Sequence, residues 1–227
     1  SDDEAKLLSA KGGEIIYSDP KSPASRITER LNKFGDTTLS DTILGVAFNY
    51  ACEGFFQVNI PVYEKALSDM KAWINCNEKL PTLDLYSGVG TIGLTIGGDD
   101  VTLVEINEHA VAEMQRNIAK LNRPSAKAIL APSEKSLECI TGEQIVIVDP
   151  PRAGLHSDVT NRLLETEPPR IIYLSCNPVT QARDVSLLQE KYKIVHHQGY
   201  NFFPRTPHIE HLVVLDKNIQ DKVTEVL

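Results

Sequence analysis

From Leu80 onward, short apolar runs alternate with stretches whose apolar residues recur at helical spacing. The runs "LPTLDLY", "VTLVEI", "AKAILA", "IVIVD", "IIYLS", "YKIVHH" and "HLVVL" read as strands, with helices over about 107–120, 156–166 and 178–190 and a Gly-rich turn after the first strand. Alternation of this kind predicts a mainly parallel sheet covered on both faces. The last two strands follow one another without a helix, so one of them is expected to run antiparallel. Upstream, "PVYEKALSDMKAWIN" at 61–75 opens on a proline suited to a first helical turn and carries apolar residues at 63, 66, 67, 70, 73 and 74. That spacing predicts a helix lying on the sheet.

The first 59 residues read differently. "GEIIY" and "TILGVAF" are short β-like runs and "SDPKSP" and "KFGD" are turns, with too few apolar residues for an independent core. The expected organisation is a partial N-terminal region over 1–59, an α/β domain over 60–216 and a short polar tail over 217–227. At 227 residues and 41% apolar content the chain is globular in composition. Its apolar runs are too short to cross a bilayer, and "SDDEAKLLSAKGG" lacks a basic region followed by an apolar core, so neither a membrane nor an export signal is expected. Cys52, Cys76, Cys139 and Cys176 stand far apart with no Cys-x-x-Cys pair. No metal, iron–sulfur cluster or disulfide framework is expected, and a reducing cytoplasm is the default setting. A net charge of −8 argues against a broad nucleic-acid surface, leaving a local patch from Arg152, Arg170, Arg183 and Arg205 as the candidate.

Chemistry concentrates at the strand ends. In "LDLYSGVGTIGL" the glycines 88, 90 and 93 satisfy G-x-G-x-x-G between a strand and a helix, which allows a tight turn and close backbone approach to a ligand. A dinucleotide site would use Glu105, at the tip of "VTLVEIN", on a ribose. Asp84, four residues before the first glycine, favours S-adenosylmethionine instead, because a carboxylate suits that ligand's cationic amino-acid end and repels a pyrophosphate. In "IVIVDPPRAG" the strand ends on Asp149, and Pro150 and Pro151 force the chain out at the carboxyl edge, where open α/β sheets place ligands.

"IIYLSCNPVTQARD" carries Cys176 to the same edge, with Asn177 suited to cap a helix and Pro178 to begin it. A thiol at a helix start ionises more easily than one in an apolar core. Such a thiolate can add to C6 of uracil, making C5 an enolate carbon able to attack a methyl sulfonium, after which a base must remove the C5 proton. "NFFPRTPHIEHLVVL" offers Glu210 for that task, flanked by His208 and His211. Two rival readings use the same residues: an amine-directed nucleic-acid methyltransferase without covalent catalysis, and a non-catalytic RNA-binding scaffold. A nicotinamide-dependent oxidoreductase is the third.

The pieces "GFFQVN", "LDLYSGVGTIGL", "VEIN", "IVDPPRAG", "LSCNPVTQARD" and "FFPRTPHIEHLVVL" together resemble the RNA uracil-C5 methyltransferases that form 5-methyluridine in tRNA or 23S ribosomal RNA. The resemblance spans about 53–215. It implies a class I methyltransferase fold, Rossmann-like, with the transferase domain at 60–216, S-adenosylmethionine as cofactor and structured RNA as partner, with the target base unstacked or flipped. It implies Cys176 as nucleophile and Glu210 as base. Gln57, Tyr86, Thr91, Glu105 and Asp149 are the implied cofactor or pocket contacts, with Asp84, Gly88 and Gly90 beside them and Ser133 the nearest match to a contact after the third strand. Arg152, Asn177, Arg205 and His208 are the candidates for substrate binding. Members of the family usually carry an N-terminal β-barrel module, and some a four-cysteine cluster; nothing here matches either. The chain is therefore expected to be either a fragment holding part of the central domain and the complete catalytic domain or a reduced homologue, with weak RNA affinity.

Overall fold

The computed structural model describes residues 11–19, 27–51, 55–74 and 80–218. Cys52, Gly54, Cys76, the "PKSP" portion of the expected first turn, Asn75 and the tail past 218 lie outside the described residues. The elements are β1 (Gly12–Tyr17), β2 (Glu29–Gly35), β3 (Leu39–Ile43), β4 (Val46–Tyr50), α1 (Ile60–Trp73), β5 (Thr82–Leu85), α2 (Thr91–Ile96), β6 (Val101–Glu105), α3 (Glu108–Lys120), β7 (Lys127–Leu130), β8 (Ile145–Val148), α4 (Ser157–Thr166), β9 (Arg170–Ser175), α5 (Pro178–Leu188), β10 (Tyr192–Tyr200) and β11 (Glu210–Lys217).

The main sheet has seven strands in the order β10-β11-β9-β8-β5-β6-β7. Strands β9, β8, β5, β6 and β7 pair in parallel. β11 inserts between β9 and β10 and is antiparallel to both, which is where the missing helix had placed the reversal. Helices cover both faces, so β5 and β8 are buried at every residue and need no polar alternation. On one face Leu67 and Met70 of α1, Leu94 of α2 and Met114 of α3 pack on Leu103, Ile147, Ile172 and Leu212. On the other, Val159 and Leu163 of α4 and Val185 and Leu188 of α5 pack on Leu85, Val148, Ile171 and Tyr173.

Two expectations upstream need correction. "TILGVAF" is not one β run: Leu44 and Gly45 adopt positive φ of 49° and 80° and fold it into the β3–β4 hairpin. A two-residue loop with both φ positive matches the strand twist, and the Leu-Gly pair hid it because leucine is rarely found there. The expected turn "KFGD" lies mostly in a strand: Lys33, Phe34 and Gly35 end the charged run "ERLNKFG", which forms β2 by pairing with β1. The β3–β4 hairpin is not a bystander, because Ile43 and Phe48 are fully buried in the same core as α1 and the sheet. Asn117 of α3 acts as a strand partner to it: its Oδ1 accepts from Asn49 N–H at 2.9 Å, and its Nδ2 donates to the carbonyls of Asn49 and Val89.

Candidate active site

The carboxyl ends of β5, β6 and β8 converge on the Gly-rich turn. Asp84 is completely buried, and its Oδ2 accepts the Gly93 N–H at 2.8 Å. A Cβ at Gly93 would meet that same oxygen at 2.8 Å, so the third glycine of the motif lets α2 approach the carboxylate. Burial raises the Asp84 pKa to about 7. Asp84 Oδ1 and Gln57 Oε1 are buried acceptor atoms with no hydrogen-bond partner.

Glu105 closes the turn from the next strand: its Oε2 accepts Gly88 N–H at 2.9 Å and its Oε1 accepts Asn107 N–H at 2.8 Å. Gly90 caps α2 in the left-handed conformation, and Thr91 begins the helix. Tyr86 holds φ at +63°, unusual for a side chain of its size. Burial raises the Tyr86 phenol pKa, with the His156 backbone and Ser133 acting in the opposite sense. A cavity of about 530 Å³ opens beside Tyr86, between the loop after β8 and helices α4 and α5, lined by Pro151, Leu155, Thr160 and Arg183 among others. Neither Cys176 nor Glu210 lines it.

The second half of the site is built from the loops after β8 and β9 and the start of β11. Glu210, the first residue of β11, is 3% exposed, and burial raises its pKa to about 7 with Arg152 acting in the opposite sense. Asp149 is held well above the usual carboxylate range by burial first, then by the charges of Glu210 and Asp84. Cys176 stands partly exposed near the same groups, and the Arg152 cation acts to lower its thiol pKa. The nucleophile candidate is thus not sealed in the core.

The ease of ionisation expected of Cys176 from its place at a helix start is not what its surroundings give. Burial pushes the thiol up, Glu210 and Asp149 push it further, and Arg152 alone opposes them. The cause is local: Asn177 is the cap, its Oδ1 accepting from Val179 N–H at 3.2 Å, and Pro178 opens α5, so Cys176 precedes the first turn. Asn177 also donates through Nδ2 to the Arg152 carbonyl at 2.9 Å. Its side chain is therefore committed to holding the loop that carries Arg152.

Of the arginine patch, Arg152 stays at the site, with Nη2 3.5 Å from His208 Nε2. Arg205 is exposed on the turn before β11 at φ +66°. Arg170 belongs elsewhere: it begins β9, at the end of the strand away from Cys176, and forms a two-point ion pair with Asp216. Arg183 is bound by Asp184 and the Ala153 carbonyl. Each guanidinium has a fixed acceptor, Arg170 in a partly buried setting and Arg183 while still half exposed. The sequence reading missed Tyr63 of α1, counted only as an apolar position. It is 2% exposed, its hydroxyl lies 2.9 Å from Thr91 Oγ1, and it feels the charges of Asp149, Asp84 and Glu210. Its signal was a hydroxyl on an otherwise apolar stripe, which a buried helix face tolerates only with a partner. Among the described residues no group of His, Cys, Asp and Glu could hold a metal ion, and no helix is long and apolar enough to cross a membrane.

A sheet with one antiparallel strand inserted beside its parallel run, and a Gly-rich turn facing an acidic strand end, define a class I methyltransferase fold. The chain belongs to the tRNA (uracil-5-)-methyltransferase family, whose sequence profile matches residues 36–218. It is 37% identical over 195 residues to a Nanoarchaeum equitans protein named as an uncharacterized RNA methyltransferase, covering 85% of this chain and 43% of that one. A protein of the same designation from Enterococcus faecalis is 35% identical over 192 residues, covering 82% of this chain and 42% of the relative. The chain thus spans less than half the length of these curated relatives. Among solved structures, the Pyrococcus abyssi tRNA (uracil-54, C5)-methyltransferase in complex with S-adenosyl-L-homocysteine superposes with a TM-score of 0.77 at 31% identity, over 90% of this chain and 50% of that one.

Proposed function

We propose that the protein transfers a methyl group from S-adenosylmethionine to C5 of a uridine in tRNA or ribosomal RNA, through a covalent adduct between Cys176 and C6 of the base, with residues 60–216 as the transferase domain. The observation that carries this reading is that Asp149, Cys176 and Glu210 stand at the adjoining ends of β8, β9 and β11, with Arg152 in the loop after β8. The orphaned acceptors Asp84 Oδ1 and Gln57 Oε1 fit a ligand that brings an ammonium group, and Glu105, Thr91, Gly88 and Gly90 complete a concave turn suited to its ribose. When bound, the cofactor supplies an electrophilic methyl group.

The chain's own residues supply the rest. The Arg152 cation favours the ionised thiol, so Sγ can add to C6 as its proton leaves. That addition places the electron pair of the C5–C6 double bond on C5, conjugated with the C4 carbonyl, which makes C5 nucleophilic. Once C5 carries the methyl group, Glu210 takes the C5 proton. The C–H electrons re-form the double bond, and the C6–S bond breaks to return the thiolate. Asp149 and the two prolines wall the slot for the planar ring, while Arg205 and His208 stand exposed at its mouth for the RNA backbone. A flipped base is required, since neither C5 nor C6 is reachable within a stack.

RNA carrying 5-fluorouridine tests this. With cofactor present, a covalent complex mapping to Cys176 is expected, because fluorine at C5 does not leave as a proton. Methyl transfer that persists in Cys176→Ala with no adduct would replace the reading with amine-directed chemistry.

A further inference from the structure

The loop 151–155 after β8 belongs to no strand or helix, so its backbone groups must find partners elsewhere. Among the described residues those partners lie on one face of α5 and its cap. Asn177 Nδ2 donates to the Arg152 carbonyl at 2.9 Å, and Thr180 Oγ1 lies 3.1 Å from both that carbonyl and the carbonyl of Asn177. Arg183 Nη2 donates to the Ala153 carbonyl at 3.0 Å, and Asp184 Oδ2 accepts the Leu155 N–H at 2.8 Å. Positions 177, 180, 183 and 184 recur at helical spacing, which is why one face can hold successive loop residues. Gly154 closes the loop on the Pro151 carbonyl at 2.9 Å with φ at +82°. A Cβ there would meet Asp184 Oδ2 at 2.5 Å and Arg183 Nη2 at 2.7 Å, so the loop lies directly against these side chains. Asp184 is the centre of the clamp and is 1% exposed. Its Oδ2 also accepts the Tyr173 hydroxyl of β9 at 2.8 Å, and its Oδ1 accepts Arg183 Nε and Nη2 at 2.9 and 2.7 Å. A buried carboxylate destabilises a fold unless its oxygens are satisfied, and here the loop, β9 and the adjacent arginine satisfy both. On its other side the loop faces the cavity of about 530 Å³ beside Tyr86, which Pro151, Ala153, Gly154 and Leu155 help to line. The loop is held from α5 and has room to yield toward the cavity.

We propose that Asp184 is a positioning residue for the transfer reaction: it fixes loop 151–155 against α5 and so holds Arg152 beside Cys176, the residue just before the cap of that helix. This deepens the reading of Cys176 as the nucleophile and rests on it. The charges acting on the thiol are Glu210 and Asp149, which raise it, and Arg152, which lowers it. His208 lies 3.5 Å from the Arg152 guanidinium, and His211, next to Glu210 on β11, is taken by Gln181. Asp184 acts through the loop. Without its carboxylate the loop can move into the cavity and carry Arg152 away from the sulfur.

Alkylation of Cys176 by iodoacetamide, followed across pH and mapped by mass spectrometry, tests this without RNA or cofactor. Asp184→Asn keeps the size of the side chain and removes the charge that holds Arg183. Its alkylation midpoint is expected to rise by about half a unit to one unit, in the direction of Arg152→Met, and to rise no further when the two are combined. The sign separates positioning from loosening, because a thiol merely made wetter shifts down, burial being what raises it. Thr180→Val removes the hydroxyl beside the Arg152 carbonyl; it should shift the midpoint the same way by less, and it replaces Asp184→Asn should that variant not fold. Adduct formation on 5-fluorouridine RNA should slow by about tenfold in Asp184→Asn while S-adenosylhomocysteine affinity holds within about twofold. An unchanged or lowered midpoint in the folded variant, an Arg152→Met midpoint equal to that of the wild type, or a full further rise in the double variant overturns the proposal. Wild-type protein that forms no adduct overturns the methyl-transfer reading, while the midpoints still decide whether Asp184 places Arg152.

Discussion

Under the proposed mechanism Cys176 and Glu210 would perform separable steps, and substitution should separate them. Cys176→Ala is expected to abolish both adduct and transfer while cofactor affinity, read by calorimetry, stays within about twofold, because the thiol acts on the base and not on the methyl donor. Glu210→Gln should lower turnover by about a hundredfold to ten-thousandfold and let the methylated adduct accumulate, visible as a protein–RNA band stable in denaturant. Arg152 is the one group lowering the thiol pKa, so Arg152→Met should shift the pH dependence of adduct formation to more alkaline pH. The sign follows from the charge: removing a cation beside an acid disfavours its ionised form. Tyr63 makes its contribution through Thr91 alone, and Tyr63→Phe is expected to cost about 1 kcal/mol of stability, measured by denaturant unfolding.

Local chemistry at the element ends decides where these side chains stand. α5 is started by Asn177 and Pro178, and the same asparagine ties down the Arg152 loop, so one residue registers the nucleophile strand against the loop of its cation. Asn177→Ala should cost about 1 kcal/mol through the lost cap, and more in adduct rate than in stability, because Arg152 loses its tether. The cap and the proline were legible in "SCNP"; the tether was not, since Asn177 and Arg152 are neighbours only after β8 and β9 pair. The β3–β4 hairpin makes the same point. Its Leu-Gly turn reads as part of a continuous run, and what holds it is Asn117, distant in sequence and serving at once Asn49 and the Val89 carbonyl of the Gly-rich turn. Asn117→Leu should destabilise by roughly 2–3 kcal/mol by stranding those buried backbone groups, checked by thermal unfolding.

For the whole molecule, a core with raised carboxylates has a stability signature. Asp84 and Glu210 titrate near 7 when folded and near the ordinary carboxylate value when unfolded. The folded state therefore binds more protons across that interval, and stability is fully present below about pH 4 for these groups and is lost as pH rises toward about 7, at up to roughly 1 kcal/mol per unit for each group. The melting temperature of the ligand-free protein should fall across that range, and Asp84→Asn should flatten the fall. The pattern of apolar runs was sufficient for the parallel sheet and its one reversal, because strands buried on both faces read as near-continuous apolar runs and a missing crossover helix forbids a parallel neighbour. The motifs were likewise sufficient to list Cys176, Asp149 and the Gly-rich turn, each a strand end followed by a residue that stops or caps, and Glu210, which opens the last strand after a Pro-bracketed turn. By contrast, only the folded chain decided that Tyr63 shares their pocket, that Arg170 does not, and that the thiol is raised instead of lowered. Those outcomes depend on which charges meet across β8, β9 and β11, and electrostatic energy is set by distance in space and by burial, neither of which is written in sequence separation.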